Sequence, residues 1–182
     1  EALGWPFYEV DDYEADDIIG TLSKQANRAG IHTVIASSDL DMLQLIDDDT
    51  EVYALKKGLS SIDRFDVKAF QAKYGIRVDQ FLDLKSLKGD SSDNIPGVPG
   101  VGEKTAVALL QKYHDLDGVY AHLDEITGAA QRKLADGKAS AYMSRELVQI
   151  QCDAPIPLDL QAADVEKLDR HKLRRLLLDL QF

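Results

Sequence analysis

Three groups of carboxylates could do chemistry in this chain. Asp90 and Asp93 stand three apart in Lys88-Gly89-Asp90-Ser91-Ser92-Asp93-Asn94, Asp39 and Asp41 flank a leucine, and Glu14 precedes Asp16 and Asp17. Each group lies at the start or end of an expected element, and Asp90 and Asp93 would share a face if their stretch were helical. Any one pair taken alone is equally a helix cap or a solvated loop. Gathered in one pocket, the seven would repel strongly unless a cation were present. Hard oxygen ligands of this kind suit Mg²⁺ or Mn²⁺, which keep several waters and bind phosphates. Two such ions held close together can polarise a phosphodiester, activate a water and stabilise the leaving oxygen.

The stretch after Asp93 points to the same substrate. Asn94-Ile95-Pro96-Gly97-Val98-Pro99-Gly100-Val101-Gly102 runs straight into Glu103-Lys104-Thr105-Ala106-Val107-Ala108-Leu109-Leu110, whose apolar spacing predicts a helix. Pro96 and Pro99 stiffen the turn. Gly97, Gly100 and Gly102 let the backbone turn sharply and approach a ligand closely. Amides pointing out of such a turn, with the positive end of the helix dipole, make an anion site. A nucleotide-binding P-loop is excluded, because Glu103 displaces Lys104 by one position from the required spacing and no buried strand precedes the glycines. A helix-hairpin-helix that holds a phosphodiester backbone fits better, with Gly97, Gly100, Gly102, Lys104 and Thr105 as DNA contacts. The bland alternative is a glycine-rich connection between two helices.

The elements that must position these residues fall into two parts. Pro6 to Val10 is expected as a strand, Glu14 to Ala29 as a helix with Ile18, Ile19, Leu22 and Ala26 inward, and His32 to Ala36 and Glu51 to Leu55 as strands, with a short helix from Met42 to Ile46 between them. That alternation predicts an α/β layer with a largely parallel sheet, whose sites form beyond strand carboxyl ends, where Asp39 and Asp41 fall. After Gly58 no further strand is expected. Helices are expected at 66–74, 78–87, 103–113, 116–123, 129–134, 139–148 and 165–180, so that residues 1–77 form an α/β metal-site part and 78–182 a helical DNA-binding part.

Composition narrows the class. The 182 residues carry 45% hydrophobic side chains, and no apolar run approaches the roughly 20 residues of a membrane span. The first residues have neither the basic nor the apolar region of a signal peptide. The single cysteine, Cys152, excludes an internal disulfide, and with four scattered histidines it makes a zinc site a poor expectation. A formal charge of −11, from 21 Lys and Arg against 32 Asp and Glu, is unlike a general nucleic-acid binder; it fits an acidic solvated surface, which must explain many of the charges, or carboxylates gathered in one site and neutralised by metal.

Three motifs in order carry a family resemblance: Tyr13-Glu14-Ala15-Asp16-Asp17-Ile18-Ile19-Gly20-Thr21-Leu22, Ser38-Asp39-Leu40-Asp41-Met42-Leu43-Gln44-Leu45, and Gly89 to Ala106. The chain resembles the 5′-nuclease (5′–3′ exonuclease) domain of bacterial DNA polymerase I, in the flap endonuclease family, and the match is to the latter part of that domain. The resemblance implies a metal-dependent nuclease that cuts the 5′ ends and flaps of branched duplex DNA in replication and repair, in the bacterial cytoplasm. It implies metal ligation by Glu14, Asp16, Asp17, Asp39, Asp41, Asp90 and Asp93, with Asp16, Asp17, Asp39 and Asp90 catalytic, and a K⁺-assisted phosphate grip at the hairpin. It implies a preceding segment with further aspartates, a central strand and a basic arch, and a polymerase domain as partner. Leu40 departs from the family, which usually has a basic residue between the paired aspartates. The alternative from another class is a non-catalytic duplex-DNA-binding module that keeps only the hairpin.

Overall fold

A computed structural model describes residues 5–56, 61–164 and 168–182. The chain forms two compact units, Glu1–Ala29 with Gln151–Phe182, and Gly30–Ile150.

In the first unit, helix α1 (Ala15–Arg28) starts at Glu14, whose amide donates to Asp17 Oδ2 at 3.2 Å. Acidic residues in that first turn suit the positive end of the dipole. Ile18 and Ala26 are buried as expected and Ile19 and Leu22 only half-buried, while Thr21 and Ser23 are buried too. Thr21 is buried because α1 holds an extended segment through a polar stripe at every fourth residue. Gln151 N donates to Asp17 Oδ1 at 2.7 Å, Ala154 N to Thr21 Oγ1 at 3.0 Å and Leu158 N to Gln25 Oε1 at 2.8 Å, while Gln25 Nε2 donates to the Ile156 carbonyl at 2.7 Å. Extended backbone with no strand partner thus satisfies its amides on helix side chains. The strand expected at Pro6–Val10 is not formed; these residues are irregular and pair with no strand among the described residues. Helix α7 (Arg170–Asp179) is shorter than the expected 165–180, and residues 165–167 of that expectation lie outside the described residues.

The second unit holds the sheet. Strand β1 (Thr33–Ser37) pairs parallel with β2 (Thr50–Leu55), as the α/β reading requires. β2 then pairs antiparallel with an unexpected third strand, β3 (Ile62–Phe65), so the sheet is mixed. β3 is four residues long with three polar or exposed positions, too short to show a period in the sequence. Cross-strand contact makes it a strand: Arg64 lies over the Tyr53 ring at 5.6 Å and reaches buried Glu51 at 2.6 Å. Between β1 and β2 the chain makes a 3₁₀ helix, Leu40–Leu45, whose Met42, Leu43 and Leu45 are buried.

Helices α2 (Val67–Tyr74), α3 (Phe81–Lys88), α4 (Glu103–Tyr113), α5 (Leu116–Ala121) and α6 (Gly128–Val148) follow. α3 is the pivot, packed against α4, α5 and α6, with Leu84 and Leu87 fully buried. The two helices expected at 129–134 and 139–148 are one continuous helix. Gly137 lies in the stretch between the two expected helices, and a Cβ there would stand 2.8 Å from Val98 Cγ1. Glycine costs α6 about 1 kcal/mol in helix propensity, and it lets the helix close onto the hairpin. Gly137→Ala is therefore expected to lower the melting temperature in calorimetry despite its better propensity, since Val98 is 1% exposed and has no room to yield. A rise in melting temperature would show that Val98 repacks.

Candidate functional site

In the second unit the loop after α3 carries Asp90 and Asp93, and it is a tight turn rather than a helix. Asp90 and Ile95 close it with a pair of backbone bonds at 2.9 and 2.8 Å, and Asn94 takes φ 57°. Asp90 Oδ1 accepts from the Ser92 amide at 3.0 Å and its hydroxyl at 2.5 Å. Asp41 comes from the 3₁₀ helix, where Asp39 caps the first turn by accepting from the Asp41 amide at 2.8 Å. A cleft of about 380 Å³ is lined by Ser38, Asp39, Leu40, Asp41, Asp90, Ser92 and Asp93. Of the sequence-predicted ligands, Asp41, Asp90 and Asp93 each offer a carboxylate oxygen, and those oxygens lie within 4.8 Å of one another. Asp39 lines the same cleft with its carboxylate engaged in the cap.

Lys85 was not foreseen. Its side chain is 3% exposed, and its ammonium donates to Asp41 Oδ1, lies 3.0 Å from Asp90 Oδ2 and 4.0 Å from Asp93 Oδ2. The available signal was its position: Phe81, Leu84 and Lys85 share one stripe of α3, so a cation sits where the helix is otherwise apolar. Burial pushes the Lys85 ammonium down, but the bonds from Asp41 and Asp90 outweigh it and hold its pKa above the usual lysine value. Burial pushes Asp90 up, and the Ser92 hydroxyl, Lys85 and the Ser92 amide more than reverse this, bringing it down to about 2. Burial raises the Asp41 carboxyl, with Asp39 and Asp93 adding to it against the pull of Lys85. Three hard oxygen donors this close fit a divalent ion, which takes oxygen at about 2 Å, after a small contraction of the cluster.

The glycine hairpin lies between α3 and α4, and its glycines do different things. Gly97 (φ 58°) is pressed against Gly89: a Cβ there would stand 2.2 Å from Gly89 N and 2.6 Å from its Cα. That close approach is one of backbone against backbone. Its amide donates to Ser144 Oγ at 3.0 Å, and its carbonyl accepts from Ser140 Oγ at 2.6 Å, fastening the hairpin to α6. The carbonyl of Gly100 accepts from Lys133 Nζ at 2.8 Å. Gly102, the N-cap of α4, is exposed with open space where a Cβ would be. The Thr105 amide already bonds Gly102 O at 3.0 Å, so the Thr105 contribution is limited to its side chain. Lys104 is exposed, and Glu103 is tied to Lys88 at 3.0 Å.

Glu14, Asp16 and Asp17 belong to the first unit. Glu14 is exposed, Asp16 half-buried, and both Asp17 oxygens accept from backbone amides.

Comparison with known proteins places the chain. Residues 1–75 match the model of the 5′-3′ exonuclease N-terminal resolvase-like domain, and residues 76–171 match that of the 5′-3′ exonuclease C-terminal SAM fold. The chain belongs to the 5′-3′ exonuclease family. It is 41% identical over 176 residues to DNA polymerase I of Bacillus subtilis, covering 96% of this chain, and 40% identical over 185 residues to that of Chloroflexus aurantiacus, covering all of it. The chain spans 20% of the length of each of these curated relatives. Among solved structures it resembles the T5 5′-exonuclease with divalent metal ions (zinc) bound, at a TM-score of 0.69 and 20% identity, covering 97% of this chain and 62% of that one. It also resembles the catalytic core of Rad2 in complex with DNA substrate, at a TM-score of 0.52 and 16% identity, covering 98% and 64%. These likenesses show the expected fold, a small α/β sheet followed by helices. Among the described residues no helix is long and apolar enough to cross a membrane.

Proposed function

We propose that this chain contributes metal-dependent 5′–3′ exonuclease and flap endonuclease activity on branched duplex DNA with a 5′ end. The observation that carries this reading is the Asp41, Asp90 and Asp93 cluster, three carboxylates within 4.8 Å in a cleft, in a chain of the 5′-3′ exonuclease family. When bound, Mg²⁺ or Mn²⁺ would supply Lewis-acid polarisation of the phosphodiester and an activated water. Asp90 is held for its task by Ser92, and Asp39 orients the turn that presents Asp41. Glu14, Asp16 and Asp17 are assigned to metal by their match to the family motif alone.

The hairpin is proposed to hold the duplex backbone. The leading amides of a helix have no intrahelical acceptor and donate readily to anions, although in α4 the Thr105 amide is already taken by the Gly102 carbonyl. Gly102 leaves them uncovered, and Lys104 adds a positive charge. A K⁺ ion at the hairpin, which would assist the phosphate grip, is part of the same reading; the Gly97 and Gly100 carbonyls there accept from Ser140 and Lys133. A longer parent, with a polymerase domain as in the polymerase I relatives, is the proposed setting.

The deciding experiment is a labelled 5′-flap DNA incubated with the protein and Mg²⁺ or with EDTA. Cleavage near the junction that EDTA abolishes supports the reading. Binding without cleavage would leave the non-catalytic duplex-binding module instead. Lys104→Ala is expected to weaken duplex binding for all sequences alike, with a slope of log affinity against log salt flatter by about one. Fluorescence anisotropy at several salt concentrations measures it, and an unchanged slope would remove Lys104 from the interface.

A further inference from the structure

The metal reading uses three carboxyl groups that a protein cation already touches. Lys85 bonds Asp41 Oδ1, lies 3.0 Å from Asp90 Oδ2 and 4.0 Å from Asp93 Oδ2, and is 3% exposed. Three carboxylates and one ammonium leave two uncompensated negative charges. A divalent ion entering beside an ammonium that stayed in place would face a like charge a few ångströms away, on a lysine side chain that is itself almost wholly buried, where such repulsion is only partly screened. A lysine head on a flexible four-carbon stem can move while its stem remains packed.

We propose that Lys85 is a tethered internal cation that competes with the divalent metal for Asp41, Asp90 and Asp93. Metal entry displaces its ammonium from these oxygens, so metal affinity is weaker than the three carboxylates alone would give. In return, one of the three negative charges is compensated in the metal-free protein, which eases the repulsion among the carboxylates when no metal is bound. This inference rests on the metal reading above and goes beyond it by assigning a residue that sets the affinity.

The test is calorimetric titration of Mn²⁺ into the parent, Lys85→Met and Lys85→Arg at one pH. Lys85→Met is expected to bind Mn²⁺ tighter by roughly tenfold or more. It should melt lower than the parent without metal and gain more in melting temperature when Mn²⁺ is added. Lys85→Arg keeps the charge and is expected to show no tightening. Lys85→Met binding Mn²⁺ no tighter than the parent would overturn the proposal. Should Lys85→Met fail to fold, the parent decides: the Lys85 side-chain Cε resonance in NMR must shift through a Mg²⁺ titration with the midpoint of metal binding, and a resonance unmoved at saturation would also overturn it. Failure of the metal reading looks different, because the parent would then bind no Mn²⁺ or would bind it unchanged after Asp90→Asn with Asp93→Asn.

Discussion

Asp90→Asn combined with Asp93→Asn is expected to abolish saturable Mn²⁺ binding and to lower flap cleavage by about a hundredfold or more. The substitutions preserve shape, so the loss is one of charge. Asparagine can still accept the Ser92 amide at position 90, and the backbone bonds between residues 90 and 95 do not involve the side chain. The turn therefore persists, and circular dichroism should be unchanged. Lys85 retains Asp41, so the metal-free melting temperature should move little compared with what loss of the whole pair would cost, about 3–5 kcal/mol for a buried charge left alone. The metal-induced rise in melting temperature, by contrast, should vanish, because a ligand stabilises only what binds it. A double variant that responds to Mn²⁺ as the parent does would mean that this cluster holds no metal.

Gly97→Ala is expected to be the most damaging change in the hairpin, and the damage falls on folding. A Cβ at 2.2 Å from Gly89 N and 2.7 Å from the Lys88 carbonyl carbon meets backbone, which cannot swing away. With the left-handed φ of 58° added, the cost is about 2–6 kcal/mol. Gly100→Ala meets only the flexible end of Lys133 at 2.8 Å and bears mainly the cost of its φ of 78°, about 1–2 kcal/mol. Gly102 has open space and a φ of −96°, so a side chain there should cost little stability. The order for DNA binding should be the reverse among folded variants: Gly102→Val covers the uncovered first turn of α4 and should weaken duplex binding more than Gly100→Ala. Thermal melts and anisotropy on the same variants measure both orders. Equal melting temperatures for all three positions would refute the assignment of Gly97 to packing.

Much of this protein was legible in its sequence because the deciding interactions are local. The α1 helix, the separate strand segments β1 and β2, and the hairpin running into α4 follow from spacings of two to four residues, which a short window contains. The family could be recognised for the same reason: its motifs are continuous runs. What the window could not contain, the tertiary structure decided. β3 exists because β2 offers it a partner. α6 runs unbroken through Gly137, where a methyl would take space that Val98 fills, and Gly97 is pressed against Gly89. Residues 151–158 are held by the polar stripe of α1, more than a hundred positions earlier in the chain. Lys85 is the sharpest case. Its place on an apolar stripe of α3 hints at burial, but what makes that burial possible is Asp41, 44 residues away, together with Asp90 and Asp93. A charge enters a protein interior only where opposite charges meet it there, and that meeting is set by how distant segments pack.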